Sequence, residues 1–198
     1  MILLRHCRLF MQHYYHGVSC YSKDMRDTRN VIDKYKGLPL EEIVDDLDQR
    51  SHGLEIAVEN TERDFNMGTI VRNANAFGVR HVHVIGRKQW NKRGAMMTDK
   101  YLHILYYATL DEFIVAMKAN NRAIIAIDNI EGSVKLAQTE LPVHGVMVFG
   151  QEGPGISPEL AMAADKIVAI EQFGSTRSVN VGVAAGIVMY EWIRRHRL

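Results

Sequence analysis

Three short segments carry residue types that could do chemistry together. The first is Asn66-Met-Gly-Thr-Ile-Val-Arg72. Its arginine sits in a run that opens a helix, and a guanidinium is a planar fork of donors suited to a phosphate. Asn66 stands where a helix N-cap is expected. Taken alone, the segment reads equally as a helix start with a surface arginine. The second runs Val146-Met-Val-Phe-Gly150-Gln-Glu152-Gly-Pro-Gly155-Ile-Ser157. A buried strand enters a glycine-rich turn, and glycines let a ligand approach the backbone closely. Glycines at 150, 153 and 155 are not in the dinucleotide-binding order, and no phosphate-loop lysine follows. The third runs from Ile170 through Gly174, Arg177, Ser178 and Asn180 into a helix rich in small residues. Ser178 and Asn180 can cap that helix, or they can present oxygen and amide groups to a ligand.

The elements that position these segments follow from periodicity. Strand-like runs occupy about 54–60, 81–85, 104–108, 123–127, 146–149 and 167–170. Helical patterns lie between them at 68–76 and 110–119, with Leu110, Phe113, Ile114 and Met117 on one face. Ser157-Pro158 starts another helix, and a long one closes the chain at about 181–195. Alternating strands and helices predict an α/β fold with a mostly parallel sheet.

The chain has 198 residues, 47% of them apolar and 24% charged, with a net charge of +1. That suits one core with a short appendage, and it excludes nucleic-acid binding by bulk charge while leaving room for a local basic patch. Residues 1–53 read as the appendage, partly helical near 40–49, basic in its first part and acidic in its second. It is too short for a strong core of its own. No apolar run is long enough for a membrane helix, and no secretory signal is evident. Cys7 and Cys20 supply no disulfide framework, and their spacing to His6, His13 and His16 fits no closed zinc pattern. The expectations are a cytoplasmic protein and no metal.

Together the three segments resemble the SpoU-type (TrmH-like) branch of the SPOUT RNA 2'-O-ribose methyltransferases. The resemblance spans about 54–195. Asn66, Gly68 and Arg72 match the family's first motif; Gly150, Glu152 and Gly155 match its second; Ile170, Ser178, Asn180 and Val181 match its third. Val179 stands where leucine is usual, and Gly182 where serine is common.

The resemblance implies a methyltransferase domain at 54–198 whose C-terminal part, about 123–180, forms a deep trefoil knot. It implies S-adenosylmethionine as donor, held by Gly150, Ile170 and Val179, with Ile127, Asp128 and Gly155 beside it. It implies methyl transfer to a ribose 2'-hydroxyl of structured RNA, tRNA favoured over rRNA because the appendage is small. Arg72 would sit at the ribose, with Asn66, Glu152, Ser178 and Asn180 around it. RNA contacts are expected from Arg87, Lys88, Lys92 and Arg93 about Trp90, from Arg177, and from the appendage. Relatives pair as homodimers through the knot and last helix; packing of that helix on the sheet explains its apolar face equally well. A knotted RNA-binding protein without catalysis and a base-methylating SPOUT enzyme are the alternative readings.

Overall fold

The computed structural model describes residues 27–60 and 66–198. Expectations about the cysteines, the neighbouring histidines and the basic start of the chain therefore lie outside the described residues. The chain divides into two compact units, 1–37 and 38–198. In the first, the Asp27 carboxylate accepts hydrogen bonds from the Arg29 side chain and from the Gly37 N–H (2.8 Å), ahead of a 3-10 turn at Asp33–Tyr35.

The second unit contains all the expected strands and one more. Its strands are β1 (Glu55–Asn60), β2 (His81–Gly86), β3 (His103–Tyr107), β4 (Ala123–Ile127), the two-residue β5 (Val134–Lys135), β6 (Gly145–Phe149) and β7 (Lys166–Ala169). The helices are α1 (Leu40–Gln49), α2 (Met67–Ala76), α3 (Leu110–Ala119), α4 (Pro158–Ala163) and α5 (Val181–His196). Every strand pair is parallel, in the order β3-β2-β1-β6-β4-β7-β5. A parallel sheet is covered on both faces, so its central strands are buried throughout. β1 and β6 are buried at every position, although β1 reads EIAVEN. Pattern alone did not reveal β5, because two exposed residues carry no periodic signal.

α2 and α5 cover one face of the sheet. Ile70, Val71, Ala74, Val188, Met189 and Trp192 pack there against Ile56, Val58, Val82, Met147 and Phe149. Each such large apolar side chain contributes about 1.5–3 kcal/mol when buried. α3 and α4 cover the other face through Phe113, Met117 and Leu160, against Ala57, Ile85, Val146 and Val148. The small residues of α5 bring it against α2. A Cβ on Gly182 would stand 2.9 Å from Thr69 Cγ2, and one on Gly186 3.1 Å from Asn73 Nδ2. Asn73 also donates from Nδ2 to the Gly182 carbonyl (3.0 Å). A second stripe of α5, Val183, Ile187 and Tyr190, is exposed.

The N-terminal end of the sheet is held by charge. Buried Glu55 accepts from His83 (2.8 Å) and pairs with Arg122 (2.6 Å), with His81 at 3.4 Å. The other ring nitrogen of His83 lies 3.2 Å from the Tyr107 hydroxyl. Asp48 of α1 takes Arg80 (2.7 Å) and His103 (3.0 Å), which ties α1 to the sheet. Burial opposes ionisation of Glu55, but the His83 hydrogen bond and the charges of His83, Arg122 and His81 outweigh it and hold the carboxyl below its ordinary range.

Candidate active site

A pocket of about 380 Å³ opens past the C-terminal ends of β6, β4 and β7. Ligand sites of open parallel sheets lie in this position, because each strand ends there in a loop free to vary. Ile127 ends β4, Phe149 ends β6, and Ile170 follows β7, so three adjacent strands deliver three apolar groups to one wall.

The turn after β6 forms the second wall. Gln151 and Gly155 exchange backbone hydrogen bonds (3.0 and 3.2 Å), which closes the loop Gln151-Glu-Gly-Pro-Gly155. Gly155 has φ +78, where a side chain is strained, and a Cβ there would stand 2.3 Å from Asp128 Oδ2. Asp128 Oδ2 instead accepts the Ile156 N–H (2.9 Å). A Cβ on Gly150 would stand 2.1 Å from the Gly155 carbonyl carbon, so the two glycines permit one backbone to cross the other.

A chain of side-chain hydrogen bonds links the three sequence segments. Asn180 Oδ1 accepts the N–H groups of Gly182 (3.0 Å) and Val183 (3.2 Å), capping α5. That use of the oxygen leaves Asn180 Nδ2 to donate to Asn66 Oδ1 (3.0 Å). Asn66 Nδ2 in turn donates to Glu152 Oε2 (2.7 Å). Each amide has one acceptor end and one donor end, so the capped helix sets both amide orientations, and Glu152 serves as acceptor.

The expectation that Asn66 caps α2 with its side chain is corrected. Asn66 occupies the N-cap position but makes no side-chain capping bond, because its amide is committed to Glu152 and Asn180. Gly68 has a packing role: a Cβ there would stand 2.7 Å from Ala95 N and 2.8 Å from Gly94 Cα. The start of α2 therefore lies directly on the backbone of the 3-10 turn Lys92–Ala95.

Gly150, Ile170, Val179, Ile127, Asp128 and Gly155, expected around a donor, all line the pocket. So do Glu152, Ser178, Asn180 and Arg177. Asn66 joins the site through its bonds to Glu152 and Asn180. Arg72 lies on the exposed side of α2, outside the pocket wall, with no hydrogen bond or ion pair among the described residues. Arg87, Lys88, Lys92 and Arg93 lie beyond the end of β2. Asn60 supports that loop from beneath, donating to the carbonyls of Arg87 (2.5 Å) and Gln89 (3.2 Å). Lys92 pairs with Asp99 (2.8 Å) and lies over the Trp90 ring.

Sequence reasoning missed Gln151, Gln172, Asn129 and Phe149 on the pocket wall, and Glu59 behind it. Their shared signal is position: each lies within three residues of the C-terminal end of a strand of the parallel sheet. Among the described residues, Gln151 keeps a buried side-chain oxygen without a hydrogen-bond partner. A buried orphan acceptor beside a pocket is the atom a bound N–H or O–H would satisfy.

The comparisons with known proteins agree with this arrangement. The tRNA (guanosine(18)-2'-O)-methyltransferase of Aquifex aeolicus is 30% identical over 149 residues, which cover 73% of this chain and 71% of that protein. The crystal structure of the A. aeolicus TrmH/SpoU tRNA modifying enzyme superposes with a TM-score of 0.70 at 28% identity, over 79% of this chain and 81% of that one. The AdoMet-bound rRNA methyltransferase from Sinorhizobium meliloti gives a TM-score of 0.66 at 26% identity, over 75% of this chain and 59% of that one. The model of the SpoU rRNA Methylase family matches residues 53–190, most of the second unit and all three motif segments, and the chain belongs to that family.

Proposed function

We propose that this protein transfers a methyl group to a ribose 2'-hydroxyl of structured RNA, with tRNA favoured over rRNA. One observation carries the reading: Glu152, Asn66 and Asn180, from three segments far apart in sequence, form a single hydrogen-bonded chain beside a pocket at the C-terminal edge of the sheet. A knotted RNA-binding protein without catalysis has no need of that chain. S-adenosylmethionine, the family's methyl donor, supplies an electrophilic sulfonium methyl when bound. The residues present fit it: Ile127, Phe149, Ile170 and Val179 offer an apolar wall, and the orphan oxygen of Gln151 offers an acceptor.

In this reading, the backbone of Gly150 to Gly155 and the Ile170 and Val179 segments hold the donor. Asn66 and Glu152 fix the wall between donor and ribose. Arg72, with no hydrogen-bond or ion-pair partner among the described residues, binds the RNA phosphate beside the target nucleotide and orients the ribose, giving rate by placement. Arg177 and the exposed cations Arg87, Lys88 and Arg93 grip neighbouring phosphates. The fold of 123–180 as a trefoil knot is part of the same proposal, supported by the insertion of β6 between β1 and β4 and by the return of Asn180 to Asn66. Cytoplasmic location belongs with it; among the described residues no helix is long and apolar enough to cross a membrane.

The test is incubation of the protein with labelled donor and separately purified tRNA and rRNA, followed by digestion to nucleosides. Label in 2'-O-methylated nucleosides of tRNA is the expected result. Label on a base, or none in either RNA, overturns the proposal. Pairing of two copies through α5 is supported by its exposed stripe Val183, Ile187 and Tyr190. Ile187→Glu is expected to convert a dimer to a monomer in sedimentation; a wild type that sediments as a monomer refutes the pairing.

A further inference from the structure

We infer that Glu59, a residue that lines no part of the pocket, is a positioning residue for the methyl donor. The inference rests on the reading of this pocket as the donor site. Its basis is the way the turn after β6 is anchored. β6 lies between β1 and β4 in the sheet. Each neighbour carries a carboxylate within one residue of its C-terminal end, and that group reaches the far limb of the turn. From the end of β4, Asp128 Oδ2 accepts the Ile156 N–H at 2.9 Å. From the end of β1, Glu59 Oε2 accepts the next N–H, that of Ser157, at 2.8 Å, and Glu59 Oε1 accepts the Ser157 hydroxyl at 2.6 Å. Two consecutive backbone N–H groups are thus held from opposite sides by acids of the flanking strands.

The chemistry of Glu59 is specific to this task. Its residue is 5% exposed, and among the described residues it has no cationic partner. A buried carboxylate without a cation is costly unless its oxygens accept hydrogen bonds. Both of its oxygens act as acceptors toward one residue. The Ser157 hydroxyl gives its only proton to Glu59 and accepts the Leu160 N–H (3.1 Å), so Glu59 also fixes the cap of α4. A glutamine would accept the Ser157 N–H with its oxygen but turn an N–H toward the hydroxyl, so the second contact survives only reversed, and the hydroxyl proton loses its charged acceptor. The near limb of the same turn carries Gly150, Gln151 and Glu152, which line the pocket. Releasing Ser157 leaves the far limb held from one side only, by Asp128 at Ile156, and the Gln151–Gly155 bridge carries the resulting shift to the donor wall.

The strand itself supplies a control. Glu55 is buried on the same strand and the same face, four residues earlier, at the opposite end of the sheet. Calorimetric titration of the full chain with S-adenosylmethionine, well below each variant's unfolding temperature, separates positioning from general stability. Glu59→Gln is expected to raise Kd about tenfold, the scale of one lost hydrogen bond to a charged group. Glu55→Gln is expected to lower the unfolding temperature at least as much and to leave Kd within twofold. Ser157→Ala, which keeps the backbone N–H and loses the hydroxyl, is expected to raise Kd about threefold, and it serves if Glu59→Gln does not fold. A Kd for Glu59→Gln (or Ser157→Ala in its place) within twofold of wild type overturns the proposal, as does equal weakening by Glu55→Gln. Unchanged binding by Val179→Arg, which fills the pocket, overturns the donor-site reading, and this inference with it. Unchanged binding by Glu59→Gln alone overturns only the role of Glu59.

Discussion

The two ends of β1 carry the same residue type in opposite settings. Glu55, at the N-terminal end of the sheet, is surrounded by Arg122, His83 and His81. Glu59, at the C-terminal end, has its hydrogen bonds among the described residues from the amide and hydroxyl of Ser157 alone. Around Glu55 and Asp48, side chains neutralise side chains, and the result ties α1, β1, β2 and β3 together. Around the pocket, side chains hold backbone or neutral amides: Asp128 on Ile156, Glu59 on Ser157, Asn180 on the start of α5. The first arrangement closes a structure. The second shapes a concave wall, and it leaves Arg72 and the Gln151 oxygen without partners among the described residues.

The contrast breaks most visibly in stability. Glu55→Ala removes the partner of buried His83 and of partly exposed Arg122 and is expected to cost about 3 kcal/mol, the low end for a broken buried pair. Denaturant unfolding measures this, and donor affinity of the folded variant should stay within twofold. A large change in donor Kd would show that the two ends are not separate. The matching effect at the other end is catalytic. Arg72→Lys keeps a charge but loses the planar fork, and kcat for methyl transfer is expected to fall about 100-fold with donor Kd unchanged. Near-normal activity would remove the guanidinium from the mechanism.

A smaller effect is expected from Gly155→Ala, whose methyl would enter the space of Asp128 at a positive φ. A stability loss of about 2 kcal/mol and a weakened donor complex should follow. Gly153→Ala shares the positive φ but meets nothing within 4 Å, and so should cost less. Equal effects would mean that backbone strain, and not the Asp128 contact, shapes the turn.

The smallest effect is the pH dependence of the N-terminal end. Burial depresses the His81 pKa below its ordinary 6.5, so its contribution is complete above that pH and is lost as the pH falls below it. Glu55, held below its ordinary 4.5, contributes above that pH and loses its contribution as the pH falls through the lowered value. Unfolding measured from pH 7 to 3 should therefore weaken in two stages. His81→Gln should reduce the first stage, by less than about 1 kcal/mol because the ring is partly exposed, and leave the part carried by His52, whose pKa burial also depresses. A first stage undiminished by this substitution would remove His81 from it.

The sequence by itself determined the alternation of strands and helices, the positions of α1, α2, α3 and α5, and the three segments that meet at the pocket. These are local matters: period, glycine placement and helix-start residues over a few positions. The same spacing suggested that Asn66 would cap its own helix, and here only the tertiary structure decided. Its partners Glu152 and Asn180 are 86 and 114 residues away, and local pattern carries no information about them. Likewise, nothing within EIAVEN separates Glu55 from Glu59. The strand order sets the difference, bringing Arg122 and the histidines to one end of β1 and the turn after β6, with Ser157 98 residues away, to the other. A carboxylate takes its role from the donors that the fold delivers to it, and in a parallel sheet those donors come from distant strands.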